Sequence, residues 1–246
     1  MSLKELLNDV SDIIFPPQCL ACAEIINPQE NRIFCSFCAE KIHFITGSFC
    51  PVCGVPFPDS PAGSHVCGRC LKKRPYFTRA RAVAVFEDVI MDTIHKFKYD
   101  RSISTGSGLS SFMADFSFPN FNFSEYSLIV PVPLHIKKLR ERGFNQSLVL
   151  AREIGKKYRL PVNFSLLKRS KFTLTQTGLN KAEREKNIKG AFVVPDKKKV
   201  AGESIILIDD VYTTGATINE CAKVLLRAGA KKTAVLTLAR AIEKPV

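Results

Sequence analysis

Two adjacent carboxylates, Asp209 and Asp210, follow four apolar residues, Ile205 to Ile208, and precede a run of hydroxyls around one glycine, Thr213-Thr214-Gly215-Ala216-Thr217. The apolar run has the length and composition of a buried strand, and the segment from Ile218 to Arg227 has helical spacing. In an open α/β sheet, ligands bind in the crevice at the carboxyl ends of strands. A helix that starts there offers unpaired N–H groups and a positive dipole to an anion. Thr213, Thr214 and Thr217 add hydroxyl donors, and Gly215 lets the backbone close around a phosphate. Asp209 and Asp210, one step away, are suited to accept hydrogen bonds from sugar hydroxyls. Together they read as a cradle for ribose 5-phosphate.

Simple helix capping would need one Asp, not two acids and three threonines. A nucleotide triphosphatase is excluded because no G-x-x-x-x-G-K-S/T precedes the acids, and Thr105 to Ser110 lacks the lysine. The whole segment, Ile205 to Thr217, resembles the phosphoribosyl pyrophosphate (PRPP) signature of type I phosphoribosyltransferases. That resemblance implies that the acids hold the ribose 2- and 3-hydroxyls and that Thr213 to Thr217 wrap the 5-phosphate.

A second chemistry lies at the other end of the chain. Four C-x-x-C pairs, Cys19/Cys22, Cys35/Cys38, Cys50/Cys53 and Cys67/Cys70, are separated by 12, 11 and 13 residues. Each pair on a tight turn presents two thiolates to one metal, and two such turns complete a tetrahedral Cys₄ zinc site, so eight ligands imply two structural zinc ions. Sequential pairing is the simplest, with Gly54 suited to the turn after its knuckle, and an interleaved arrangement satisfies the same spacing. Four copies in about fifty residues argue against redox dithiols. His43 and His65 are not needed, since the cysteines already fill two sites. Cys221, at helical spacing with Ile218 and Leu225, reads as core.

These constellations divide the chain into an amphipathic helix over 1–14, a double zinc ribbon over 15–75, and an α/β domain over 76–246. The first fourteen residues have helical rather than leader-like patterning, and no run of 18 apolar residues occurs, so no membrane insertion and a reducing, cytoplasmic setting are expected. After Pro75, strands at Ala82–Phe86, Leu128–Pro133, near Val162, Ile205–Ile208 and Ala234–Leu238 alternate with helices at Val89–Phe97, Ile103–Phe116, Gln146–Tyr158 and Thr217–Arg227. Such alternation predicts a mostly parallel sheet flanked by helices. The net charge of +13 is confined to one stretch: Leu134 to Val200 holds 18 Lys/Arg against 5 Asp/Glu, and the remainder balances. Such a field steers a highly anionic substrate or holds a nucleic acid backbone.

Two further motifs belong to the same domain. Val130-Pro131-Val132-Pro133, followed by Arg140 to Gln146, reads as a strand end, a basic loop and a helix start, again an anion site. Arg169 to Phe192, with Gln176, Arg184 and Asn187, is polar and weakly patterned, as a hood over a site would be. The zinc module, V-P-V-P, R-G-F-N-Q, this hood and the PRPP signature occur together in the ComF (ComFC-like) competence proteins, which the chain resembles from about Phe15 to Ala239. The resemblance implies a type I phosphoribosyltransferase-like fold with an N-terminal zinc ribbon, acting in DNA uptake during natural transformation. It implies binding of PRPP with Mg²⁺, Asp209, Asp210 and Arg142 as the groups that act on the ligand, and Pro131, Val132 and Pro133 near the pyrophosphate. A looser likeness to amidophosphoribosyltransferase does not extend to an N-terminal catalytic cysteine or glutaminase domain, so no glutaminase activity is expected.

Two functions from different classes follow. One is phosphoribosyl transfer to an acceptor that the residues do not identify. The other is a non-catalytic adaptor that holds single-stranded DNA on the basic stretch, with Phe144, Tyr158, Phe164 and Phe172 as stacking candidates. In the second, the ribbon docks a competence helicase or an uptake-channel partner, and the PRPP site serves as scaffold or metabolite sensor.

Overall fold

The computed structural model describes residues 16–27, 33–57, 63–99, 103–171 and 187–242. The expected N-terminal helix, Phe172, Gln176 and Arg184 lie outside them. In chain order the elements are α1 (Ser36–Glu40), α2 (Gly68–Lys72), β1 (Arg79–Val85), α3 (Asp88–Tyr99), α4 (Ile103–Asp115), β2 (Leu128–Pro131) and α5 (Ile136–Arg142). They continue with α6 (Gln146–Tyr158), β3 (Lys168–Arg169), β4 (Phe192–Val193), β5 (Ser204–Tyr212), α7 (Ala216–Arg227) and β6 (Lys232–Arg240).

The continuous apolar runs in β2, β5 and β6 are those of strands covered on both faces. They form a parallel sheet of order β1-β6-β5-β2, and Val162 adds one parallel bridge to Ile129 at its edge. Alternation sends Ile206 and Ile208 to one face, against Ile94 and Phe97 of α3, Leu109 and Met113 of α4, and Leu150 and Ile154 of α6. Ile205 and Leu207 point to the other, against Ile218, Cys221 and Leu225 of α7 and the segment around Ile188 and Val200. Cys221 is fully buried core.

β5 is longer than the apolar run suggests. Its acids lie inside the strand rather than after it, because β6 pairs it through Asp209↔Thr237, Val211↔Ala239 and Tyr212↔Arg240. On the opposite side, β2 pairs only as far as Pro131↔Ile208. The Val132 N–H makes one more bond, to the Ile208 carbonyl at 2.9 Å, and the Val132 carbonyl then accepts from the Asn145 amide at 3.1 Å rather than from β5. From Asp209 onward β5 therefore has a neighbour on one edge and an opening on the other. A second difference is α5, where a basic loop was expected. His135 caps its first turn by accepting from the Lys137 N–H, and Gly143 ends it in the left-handed region.

The cysteine module packs onto this sheet. Cys19, Cys22, Cys35 and Cys38 form one group and Cys50, Cys53, Cys67 and Cys70 the other, with the sulfurs of each within 4.8 Å of one another. The pairing is therefore sequential. Cys22 and Cys35 are 3.7 Å apart at sulfur, as are Cys53 and Cys67. Four thiolates at about 2.3 Å from a tetrahedral zinc ion have edges of about 3.8 Å, whereas a disulfide would need about 2.05 Å. The donor sets fit zinc. Burial opposes a thiolate at Cys19 and Cys50, yet backbone N–H donors at Cys22 and Cys35, and at Cys53 and Cys67, hold each at about 7.

The two halves share contacts that would be costly to separate. His43 to Ile45 runs antiparallel to β1, with the Ile45 N–H bonded to Val83 O and the Val85 N–H to His43 O, and so covers a sheet edge. Cys19, Ile26 and Phe34 belong to the same apolar cluster as Ile94, Leu109 and Met113. Because the first cysteine group is built into that core, removing its metal should destabilise the sheet domain too. Thermal unfolding with and without a strong chelator should show the main transition move to lower temperature. A main transition unaffected by chelation would contradict the shared core.

Candidate functional site

The opening beside β5 is a crevice of about 360 Å³ lined by Phe86, Lys98, Val132, Arg142, Asp209 and Thr213 among others. Its floor is the acid pair. Successive strand residues face opposite sides of a sheet, and each acid is held by a different element. Asp209 accepts from the Ser147 hydroxyl at 2.9 Å and from the Asp210 N–H at 3.0 Å. Asp210 accepts from the Val211 N–H at 2.7 Å and pairs with Lys98 of α3 at 2.8 Å, with both side chains largely buried. Burial first, and then the neighbouring Asp210 charge, raise the Asp209 carboxyl to about 7. Ser147, the Asp210 N–H and Lys98 work against that rise.

Behind the acids stands the hydroxyl-rich loop. Gly215, at φ +78°, is the N-cap of α7 and makes no side-chain cap. A Cβ there would collide with the Tyr212 hydroxyl, which fixes glycine at this position. By contrast, α6 starts with a side-chain cap: Asn145 accepts from the Ser147 N–H at 3.1 Å, and its amide donates to Val132 O at 3.1 Å. The first turn of α6 is thus partly satisfied, and α7 offers the freer N-terminus for an anion.

Cations complete the wall opposite. Arg142, the last residue of α5, donates to Gln146 Oε1 at 3.2 Å and lies over the Tyr99 ring. Lys138, one turn earlier, lines the crevice with Arg169. Burial, then the nearby Arg142 and Arg169, lower the Lys138 ammonium from its usual value. The crevice therefore has an acidic floor and a basic wall, an arrangement suited to a ligand with sugar hydroxyls at one end and phosphates at the other.

The chain carries matches to two known domains. Residues 10–71 match the double zinc ribbon domain and residues 145–246 the phosphoribosyl transferase domain. It is 32% identical over 212 residues to the DNA utilization protein YhgH of Escherichia coli K12, covering 85% of this chain and 90% of that protein. Competence protein F of Haemophilus influenzae is 29% identical over 228 residues, with 91% and 97% covered. Competence protein ComFC of Bacillus subtilis is 29% identical over 215 residues, with 83% and 82% covered. The chain belongs to the ComF (ComFC-like) family. Its fold is an α/β, type I phosphoribosyltransferase-like domain carrying an N-terminal double zinc ribbon.

Within this ComF chain, most residues singled out from the sequence converge on one place. Asp209, Asp210, Arg142, Val132, Pro133, Thr213, Gly215, Ala216 and Thr217 all line the crevice. Pro131 does not, being buried as the last residue of β2. Thr214 turns to the other side of the loop, into a second cleft of about 970 Å³ that shares Gly215 and Ala216 with the first. Asn187 lines neither cleft, although its neighbours Ile188 and Lys189 border the second. Sequence reasoning passed over Lys98 and Ser147, and met Lys138 and Arg169 only as members of the basic stretch and, for Arg169, as the first residue of the hood. Ser147 directly follows the R-G-F-N-Q motif and could have been taken with it, and Lys98, outside the basic stretch, carries no local signal. Among the stacking candidates, Phe144 packs on Phe97 and Tyr158 against the core, and Phe164 alone of the described ones is largely exposed. Among the described residues, no helix is long and apolar enough to cross a membrane.

The raised Asp209 makes stability depend on pH. In the unfolded chain the carboxyl titrates near ~3.9, whereas in the folded chain it titrates at about 7. Folding thus disfavours the charged form, and the resulting destabilisation is absent below about pH 4 and complete above about pH 7. Asp209→Asn should be more stable than the wild type at pH 8, by on the order of 1–3 kcal/mol after allowance for partial exposure, with the difference vanishing towards pH 4.5. Thermal melts at several pH values check this, and a difference that stays constant with pH would contradict it.

Proposed function

We propose that this protein binds PRPP with Mg²⁺ in the crevice beside β5 and serves the handling of incoming DNA, as the names of its competence relatives suggest. The observation that carries the reading is the combination, at one free strand edge, of two carboxylates, a glycine-capped helix N-terminus and four cations. In this reading Asp209 and Asp210 accept hydrogen bonds from the ribose hydroxyls, while Thr213, Thr217 and the first N–H groups of α7 hold the 5-phosphate. Lys98, Lys138 and Arg142 face the pyrophosphate. Mg²⁺, which the acid pair and the ligand's own oxygens would hold, supplies further neutralisation of that charge.

The same reading extends to transfer. When the bond between the sugar C1 and the pyrophosphate oxygen breaks, pyrophosphate leaves with the electron pair, and Arg142 and Lys138 stabilise the charge it takes. The acceptor's nucleophile then bonds to C1 and gives its proton to the departing pyrophosphate or to water, while the acids keep the sugar in line through its hydroxyls. Calorimetric titration with PRPP and Mg²⁺ tests the binding part. The wild type should bind, and the chain carrying Asp209→Asn and Asp210→Asn should lose at least about tenfold in affinity with its zinc content unchanged. Absence of binding by the wild type would overturn the proposal.

A second role is favoured by the other cleft. Arg69, Lys72, Lys73 and Arg74 of the ribbon, with Lys189 and Lys223, surround it on the far side of the phosphate loop. Glu220, its acidic member, pairs with Lys223 at 3.8 Å. Such a groove suits the backbone of single-stranded DNA, and ribbon residues supply it as well as the basic stretch from Leu134 to Val200. Affinity for single-stranded DNA should fall steeply as salt rises, and Lys72→Glu with Arg74→Glu should weaken it. A flat salt response, or wild-type affinity in that variant, would remove this cleft from DNA binding.

A further inference from the structure

We infer that the second cysteine cluster holds the phosphate loop in its binding conformation through Arg240 and Tyr212, so that metal occupancy in the ribbon sets the affinity of the crevice. Arg240, the last residue of β6, is 2% exposed. Its Nη2 donates to Cys53 Sγ at 3.5 Å, and its Nε and Nη1 are buried without a hydrogen-bond partner. A buried guanidinium is costly unless an anion faces it. A zinc ion with four thiolates carries a net charge of about −2, and that cluster is what Arg240 touches. Its backbone is fixed as well: its carbonyl accepts from the Phe86 N–H at 2.8 Å, and it pairs in register with Tyr212.

The guanidinium carbon also lies over the Tyr212 ring, 4.0 Å from the centroid. Such a contact is worth more in a dry setting than at the surface, and Tyr212 is itself 4% exposed. The tyrosine is braced from another side by Phe77, edge-on at 6.2 Å. Its hydroxyl end fills the space directly beneath Gly215, the residue that turns the phosphate loop into α7. The order is then thiolate cluster, Arg240, Tyr212, Gly215 and the loop, each in contact with the next. Without metal in the second cluster Arg240 loses its counter-charge, the stack on Tyr212 loosens, and the support under Gly215 goes with it. Arg240 is a positioning residue, because it acts on the ligand only through Tyr212.

Arg81 provides an internal control. It is the other buried arginine at this cluster, lying over Phe49 and donating to the Pro51 and Pro119 carbonyls. It has no contact with Tyr212 among those described.

The inference rests on the PRPP reading for its ligand, but one readout does not depend on it. In the zinc-loaded protein, Arg240→Met should keep two zinc ions per chain while the amides of Thr213 to Asn219 exchange faster, and affinity for PRPP with Mg²⁺ should drop about tenfold. With cobalt in place of zinc, loss of the N–H···S bond should shift the thiolate charge-transfer band. Arg81→Met should leave loop exchange and PRPP affinity as in the wild type, even where it lowers stability. If Arg240→Met does not fold, Arg240→Lys keeps a buried cation without the flat stacking face and takes its place in the same comparison. Wild-type loop exchange in the folded Arg240 variant, or equal losses in the Arg81 variant, would overturn the coupling. Faster loop exchange in a protein whose wild type binds no PRPP would keep the coupling and sink only the ligand.

Discussion

Two negative charges on successive residues of a central strand are an expensive arrangement, and much of the molecule can be understood from what it takes to hold them. Asp209 and Asp210 cannot both face bulk water from inside a sheet, nor both be buried without compensation. The sheet resolves this by ending β2 early. The ladder ends at Val132, whose carbonyl is taken by the Asn145 amide, so β5 projects past its neighbour with its acids at an opening rather than in the core. Lys98 then reaches one acid from α3 and Ser147 the other from the start of α6. Even so, burial and mutual repulsion keep Asp209 well above the usual carboxylate range. Strain of this kind is expected where a site waits for a ligand, since hydroxyl donors and a cation would relieve it.

The zinc ribbon is part of the same design. Its first cysteine group shares a core with α3 and α4, its middle segment covers the edge of β1, and its second group meets the C-terminal ends of β5 and β6 through Arg240. Two small groups of four cysteines could not bury enough surface to fix those positions alone, and a tetrahedral metal in each group supplies the missing order. The crevice and the ribbon therefore meet at the loop before α7, with the crevice on one side of Gly215 and the basic cleft on the other.

What the sequence disclosed follows from how local each signal is. The acid pair, the glycine of the loop, the helix from Gln146 to Tyr158 and the four cysteine pairs are all written within a dozen residues, and spacing alone exposes them. The lengths of β5 and β2 were less legible, because pairing to Tyr212 depends on β6 and the end of the β2 ladder on the Asn145 amide that takes the Val132 carbonyl. Lys98 reaches the crevice from α3 and on a single chain looks like a solvated lysine, whereas Lys138 and Arg169, reaching it from α5 and β3, were not told apart from the other cations of the basic stretch. The charge count pointed to Leu134–Val200 and missed Arg69 to Arg74, since acids elsewhere balance them on paper and not in space. Arg240 was invisible as well: only the fold brings the last residue of β6 to a thiolate 187 positions earlier.

The proposed phosphoribosyl site at the free edge of β5 is what the functional reading depends on. A crystal structure of the zinc-loaded protein with PRPP and Mg²⁺ tests it most directly. The account predicts ribose hydroxyls on Asp209 and Asp210, the 5-phosphate on the N–H groups of Thr213 to Thr217, and the pyrophosphate towards Lys98, Lys138 and Arg142. A ligand bound in the cleft between α2 and α7, or in neither place at saturating concentration, would contradict it.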